Sequence, residues 1–280
     1  MSVAIRVLAD SVCDVPPELA RAWDITLIPA QVTIDRQTFL DDGVQITREQ
    51  FYTMLPDLDP LPTTAACPLG LCRDLIAARA QEADHLILIA APAHLSAIYN
   101  NFRLAAEEVC PGRYTLIDSG QVTMGAGFQV LAAAEMARAG RTVGEIVAAL
   151  DHMRKRTHVF GALNTLENLH KSGRVGWVAA VAGRLLRIKP LVELTEGRVT
   201  SLDNVRTFRR AFERLVQLGH DLAPFERLAV LHTHNLEMAQ ALREALAPIF
   251  PADEMLMVHV NPTLGVHVGA NALGLAMVRA

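Results

Sequence analysis

Three short stretches place hydroxyl groups where an extended run ends or a helix begins: Asp10-Ser11-Val12-Cys13-Asp14, Pro62-Thr63-Thr64 and Leu95-Ser96. Hydroxyls beside helix-terminal amides form a neutral cradle for an anion, because they donate hydrogen bonds without supplying a countercharge. Taken singly, each stretch also reads as an ordinary helix cap. In a parallel sheet such loops collect at the carboxyl edge of the strands, where open α/β folds bind ligands.

A second candidate chemistry is metal binding. His232-Thr233-His234 closes an apolar strand, where side chains two apart share a face, and His259 and His267 could add ligands if their segments were adjacent. No Asp, Glu or Cys completes the spacing nearby, and a chain with 10 histidines produces such pairs by chance, so no metal is expected. Phosphate-loop, GxSxG and HExxH patterns are missing, and Gly125-Ala126-Gly127 lacks the third glycine of a dinucleotide fingerprint. Residues 171–214, which include Arg174 and Arg206, carry a surplus of six positive charges in a chain whose net charge is −4. That asymmetry suits either an anionic group or acidic partner, or a solvated surface.

The elements that must position these groups follow from periodicity. Strands are expected at Val3–Ala9, His85–Ala90 and Tyr114–Ile117, with an extended run over Ile25–Ile34. Helices are expected between them, two opened by the capping-box pairs Thr47/Gln50 and Thr142/Glu145, one over Leu69–Ala80, and one of small apolar residues closed by Gly140. This alternation implies a parallel sheet flanked by helices. From about Thr157 the texture changes to a hairpin through Thr195-Glu196-Gly197, with helices flanking the strand Arg227–His232. The fold class is therefore α/β with two domains: residues 1–156, and residues 157–280 containing the hairpin.

A chain of 280 residues, 51% hydrophobic and 20% charged, builds a sizeable core and is not disordered. Its mild acidity argues against wrapping nucleic acid. The uncharged run Met255–Val278 is interrupted by Asn261, Pro262 and Asn271, so it reads as buried strands and turns rather than an integral membrane segment. Met1–Arg6 has no leader character, and the four cysteines show no CxxC spacing, so reduced thiols in a cytoplasmic protein are expected.

Taken in order, several of these pieces form a pattern. DSVCD follows the first strand, then come Thr63-Thr64, HLSAIY, Ile117-Asp118-Ser119 with Gly125-Ala126-Gly127, and Leu166–Leu169 before Lys171-Ser172-Gly173-Arg174. Leu186-Arg187-Ile188-Lys189-Pro190 and Gly265-Val266-His267-Val268-Gly269 complete it. Over nearly its whole length the chain resembles the DegV family of bacterial fatty-acid-binding proteins. The resemblance implies a lipid-binding protein, not an enzyme and without cofactor, that holds a long-chain fatty acid in a buried tunnel between and beneath its domains. It implies that Thr63, Thr64, Ser96 and His267 bind the carboxylate, and that Arg174 and Arg206 face a partner fatty acid kinase. The chain departs from the family pattern at Ala91-Pro92, Ala97-Ile98, Ala65 and Gly269-Ala270-Asn271. The competing expectation is a metal-assisted or other enzyme using the inter-domain cleft.

Overall fold

The computed structural model describes residues 3–175 and 188–280. Arg184, Leu186 and Arg187, which belong to the basic segment or the Leu186–Pro190 motif, lie outside the described residues. The chain opens with β1 (Ile5–Asp10), a 3-10 turn at Ser11–Cys13, α1 (Pro17–Ala22) and β2 (Thr26–Ile28). It continues through β3 (Gln31–Ile34), β4 (Gln37–Leu40), α2 (Arg48–Met54), β5 (Thr63–Ala65) and α3 (Leu69–Ala80). Next are β6 (His85–Ala90), α4 (Ile98–Val109), β7 (Tyr114–Asp118), α5 (Thr123–Arg138) and α6 (Val143–Lys155).

The remainder holds β8 (Thr157–Ala162), α7 (Glu167–Ser172), β9 (Lys189–Thr195) and β10 (Arg198–Val205). It ends with α8 (Phe208–Leu222), β11 (Phe225–His232), α9 (Leu236–Leu246), β12 (Leu256–His259), α10 (Pro262–Val268) and β13 (Leu273–Arg279).

Three sheets result. A four-stranded parallel sheet has the order β2-β1-β6-β7, and a six-stranded sheet has the order β10-β9-β8-β13-β11-β12. A small antiparallel sheet, β4-β3-β5, stands apart. Both expected capping boxes are present, and the hairpin turns through Glu196 and Gly197 at positive φ, the geometry that a two-residue turn matched to strand twist requires.

Helix α5 is the keel. Met124 to Ala134 is buried around its whole circumference, because the helix lies between the four-stranded and six-stranded sheets and packs on β1, β6, β8 and β13. Its small residues make that possible. A Cβ on Gly125 would stand 2.5 Å from Val159 Cγ2, and one on Gly127 2.6 Å from the Cys13 carbonyl. The Gly-Ala-Gly run thus serves close helix–sheet packing.

Four expectations are corrected. The Ile25–Ile34 run is two strands, broken at Pro29 and assigned to different sheets. Residues Met255–Val278 contain a helix, α10, opened by Asn261 as N-cap and Pro262 at its first position, a start signal that the apolar run masks. The small sheet was not foreseen, since β4 and β5 are four and three residues long. Finally, Cys67 and Cys72 are joined by a disulfide, while Cys13 and Cys110 are free and buried. Pro68 turns the chain into α3, so the first turn brings Cys72 back over Cys67, with Cα atoms 6.5 Å apart and within disulfide reach. No helix among the described residues is long and apolar enough to cross a membrane.

Candidate functional site

A cavity opens where α5 begins. It measures about 200 Å³ at the centres of water-sized spheres. Its walls come from β5 (Thr64 to Ala66), from the loops after β1, β6 and β7 (Val12, Ala91, Leu95, Val122), from α7 and α10, and from one face of the six-stranded sheet. The sheet face supplies Val159, Gly161, Leu163, Val192, Leu194 and Gly274. Gly161 and Gly274 are direct cross-strand partners, so the floor lacks side chains at two adjacent positions. Most of the lining is aliphatic, as an alkyl chain demands.

Polar groups line this space too, among them Thr123, His232, Thr233 and Thr263. Thr64 Oγ1 lies 3.2 Å from His267 Nε2, and both residues line the cavity together with Ser96 and Arg174. Thr64 is delivered by β5, His267 by the last turn of α10, and Ser96 by the turn that starts α4. Ser96 Oγ accepts a hydrogen bond from the Ile98 amide at 3.3 Å, and the Ser96 amide donates to the Pro92 carbonyl. The Ala91-Pro92 departure thus still builds a turn that holds the hydroxyl at the cavity. Arg174 follows α7 and donates to the Ser172 carbonyl at 2.7 Å. Burial, with the Arg174 charge second, lowers the His267 pKa to about 4, so the ring is neutral at pH 7 rather than poised near its reference value. Its Nδ1 is buried and has no hydrogen-bond partner among the described residues.

Two further expected residues fall elsewhere. Thr63 is exposed, pairs in register with Thr33 and is outside the cavity lining, which begins one residue later at Thr64. Arg206 is exposed just beyond β10 and is also outside the lining. It stands at the hairpin end where Val205 pairs with Lys189, whose ammonium binds Asn164.

The histidine cluster is structural in its contacts. His232 and His259 stack with centroids 4.7 Å apart, and Tyr52 stacks on the other side of His259 at 5.0 Å. His232 Nδ1 accepts from the Asn235 amide, and His259 Nε2 accepts from the His234 amide. Burial and the neighbouring imidazoles pull His232 down to about 4 and His259 to about 3. His234 leaves the strand at φ 58°, so it does not share the expected face with His232. Among the described residues no group of three or more His, Cys, Asp or Glu is arranged to hold a metal ion.

Two carboxylates support the site from behind: Asp14, part of the Asp10–Asp14 stretch read above, and Asp41, which sequence reasoning did not single out. Asp41 Oδ2 accepts from both the amide and the hydroxyl of Thr263, and Asp14 Oδ1 accepts from the Asn261 amide at 3.0 Å while paired with Arg48 at 3.0 Å. Asp41 carries no spacing motif. The floor glycines did leave a trace: single glycines inside the strand patterns of Thr157–Ala162 and Leu273–Arg279, which signal a close approach or a ligand.

The chain is thus an α/β protein with a mostly aliphatic cavity that Thr64, Ser96 and His267 line from separate elements. Comparison with known proteins gives its family. The family model described as "Uncharacterised protein, DegV family" matches residues 4–280. A DegV domain-containing protein of Streptomyces coelicolor is 30% identical over 99% of both chains. Among solved structures, the fatty-acid-binding DegV family protein from Thermus thermophilus aligns with a TM-score of 0.90 at 27% identity, covering 99% of this chain and 100% of its own. DegV from Bacillus subtilis, described as a fatty acid binding protein, aligns at 0.87 and 26% over 100% of both chains. This chain is a member of the DegV family.

Proposed function

We propose that this protein binds a long-chain fatty acid in the slot, tail against the six-stranded sheet and carboxylate against Thr64, Ser96 and His267, and presents it to a fatty acid kinase. The observation that carries the reading is a mostly aliphatic cavity whose lining includes the Thr64–His267 hydrogen bond together with Ser96 and Arg174. The Thermus thermophilus and Bacillus subtilis relatives, described as fatty-acid-binding, support it.

The chemistry follows from the donors. With the imidazole neutral and Nε2 protonated, His267 donates to Thr64 Oγ1 and leaves the Thr64 hydroxyl proton for the carboxylate. Ser96 accepts from the Ile98 amide and likewise keeps its own proton for the ligand. Each hydroxyl is thus polarised by a donor behind it, which strengthens the bond it makes in a low-dielectric pocket. Neutral donors also leave the carboxylate its negative charge, which a buried, fully paired arginine would cancel. That charge is what attack on a phosphoryl donor requires. Arg174 at the cavity wall and Arg206 on the surface are the residues assigned to face the kinase. Residues 1–156 and 157–280 form the two domains, and the slot runs along their seam.

Denaturing mass spectrometry of material extracted from the purified protein tests the reading. A long-chain fatty acid near one equivalent is expected. Extraction of no lipid, followed by failure of delipidated protein to take up added oleic acid, would refute it.

A further inference from the structure

The head-group histidine does not stand on its own backbone alone. Helix α10 belongs by sequence to the C-terminal half, yet Val266 packs into the cluster of Val32, Ile34, Phe51 and Tyr52 from the N-terminal half. A methyl group on Gly265 would collide with the Tyr52 hydroxyl, so α10 is pressed directly onto α2. The helix is short, seven residues, and its placement therefore depends on what holds its two ends.

At the far end His267 meets Thr64, which is carried by β5 of the small sheet. At the near end Thr263 meets Asp41, the residue that follows β4 of the same sheet and whose amide binds the Ala30 carbonyl at 2.9 Å. Thr263 and His267 are four residues apart, so they lie on one helix face, separated by roughly 6 Å along the axis. Helix and sheet are thus fastened at two points. Asp14 secures a different atom, the amide of Asn261 ahead of the helix.

We propose that Asp41 is a positioning residue for the head-group site: by accepting both polar hydrogens of Thr263 it sets α10 on the small sheet at the level that brings His267 Nε2 to Thr64. The inference rests on the assignment of Thr64 and His267 to the carboxylate. A carboxylate in so buried a place is costly unless it is hydrogen-bonded, and the two bonds to Thr263 are what offset that cost. Asp41→Ala removes the acceptor, frees the first turn of α10 and lets the ring drift from Thr64. Asp41→Asn keeps an oxygen in the same place.

The test uses delipidated full-length protein and the fluorescent long-chain acid cis-parinaric acid. Asp41→Ala is expected to bind about 10-fold more weakly, the equivalent of one or two hydrogen bonds. Asp41→Asn restores most of that loss. In a double-mutant cycle, His267→Ala and the double variant Asp41→Ala/His267→Ala bind alike, because Asp41 has nothing left to position. If Asp41→Ala does not fold, Thr263→Val, which deletes only the hydroxyl, takes its place with an expected loss of about 3-fold. Full affinity of Asp41→Ala while His267→Ala is weakened overturns the role of Asp41 and leaves the site standing. A double variant weaker than His267→Ala by a further ~10-fold also overturns it, since Asp41 would then act on the fold at large. Undiminished binding by His267→Ala overturns both.

Discussion

Thr63 and Thr64 differ by one strand position, and that difference makes a sharp experiment. Replacing Thr64 with Val keeps the branched shape and deletes the hydroxyl. Two things are lost: a donor to the ligand carboxylate and the partner of His267 Nε2. Among the described residues the ring is then left with neither nitrogen partnered in a buried place, since Nδ1 already lacks a partner there. A hydrogen bond to a charged group contributes ~1.5–3 kcal/mol. At ~1.4 kcal/mol per decade, Thr64→Val should weaken fatty acid binding by ~10- to 150-fold. The same substitution at Thr63 changes an exposed side chain on the opposite face of β5, and affinity should stay within ~2-fold, the range of ordinary surface changes. Titration of delipidated protein with cis-parinaric acid measures both, with thermal melts to verify folding. Equal weakening by the two variants, or full affinity of Thr64→Val, refutes the placement of the head group.

Three further outcomes are expected. A Cβ at Gly161 meets its neighbours at an ordinary 3.5 Å, so Gly161→Leu should fold, while the rest of the side chain fills the floor and excludes long acids; long-chain binding at full strength would show the slot lies elsewhere. Thiol titration in denaturant without reductant should find two reactive cysteines, Cys13 and Cys110, and four after reduction. On the acid side, His267 is neutral when folded to about pH 4 but takes a proton near ~6.5 when unfolded, so its contribution to stability is lost as pH falls from ~6.5 towards 4. His267→Asn should therefore flatten the fall of Tm in that window in the ligand-free protein, and an unchanged slope would contradict the neutral, buried ring. Asp10 and Asp41, raised to about 6 by burial, act with the opposite sign and are present in both proteins.

Local signals carried much of the fold. Leu69–Ala80 and His85–Ala90 appear with the bounds their periodicity predicts, and Thr47/Gln50 and Thr142/Glu145 cap the helices they announce. What escaped was structure set by distant partners. β5 is three residues long and is a strand only because β3 lies beside it, so nothing local distinguished Thr64 as the residue facing the cavity. Helix α10 is hidden in a run whose apolar residues satisfy either period. The disulfide was obscured because Cys67 and Cys72 are separated by more than a CxxC spacing and meet only through the turn at Pro68. His232 and His234 do not share the face their spacing suggested, because β11 ends at His232 and His234 takes a left-handed conformation. Asp14 and Asp41 are ordinary acids until α10 is placed upon them.

The position of the slot follows from the helix that ends beside it. Along one face of the six-stranded sheet, Ala276 and Val278 of β13 and Val159 of β8 belong to the same apolar core as α5. Continuing on that face, the next positions are Gly274 and Gly161, which line the cavity together with Val159 and with Val122 and Thr123 at the helix start. Between the two sheets α5 supplies a layer ~10 Å thick with side chains, and at its first residues the described part of the chain leaves a cavity. The paired glycines deepen it. An alkyl chain laid there would complete the layer that α5 begins, so ligand burial and sheet-on-sheet packing become one energetic term. A bound acid should then hold the two sheets together as well as be held by them.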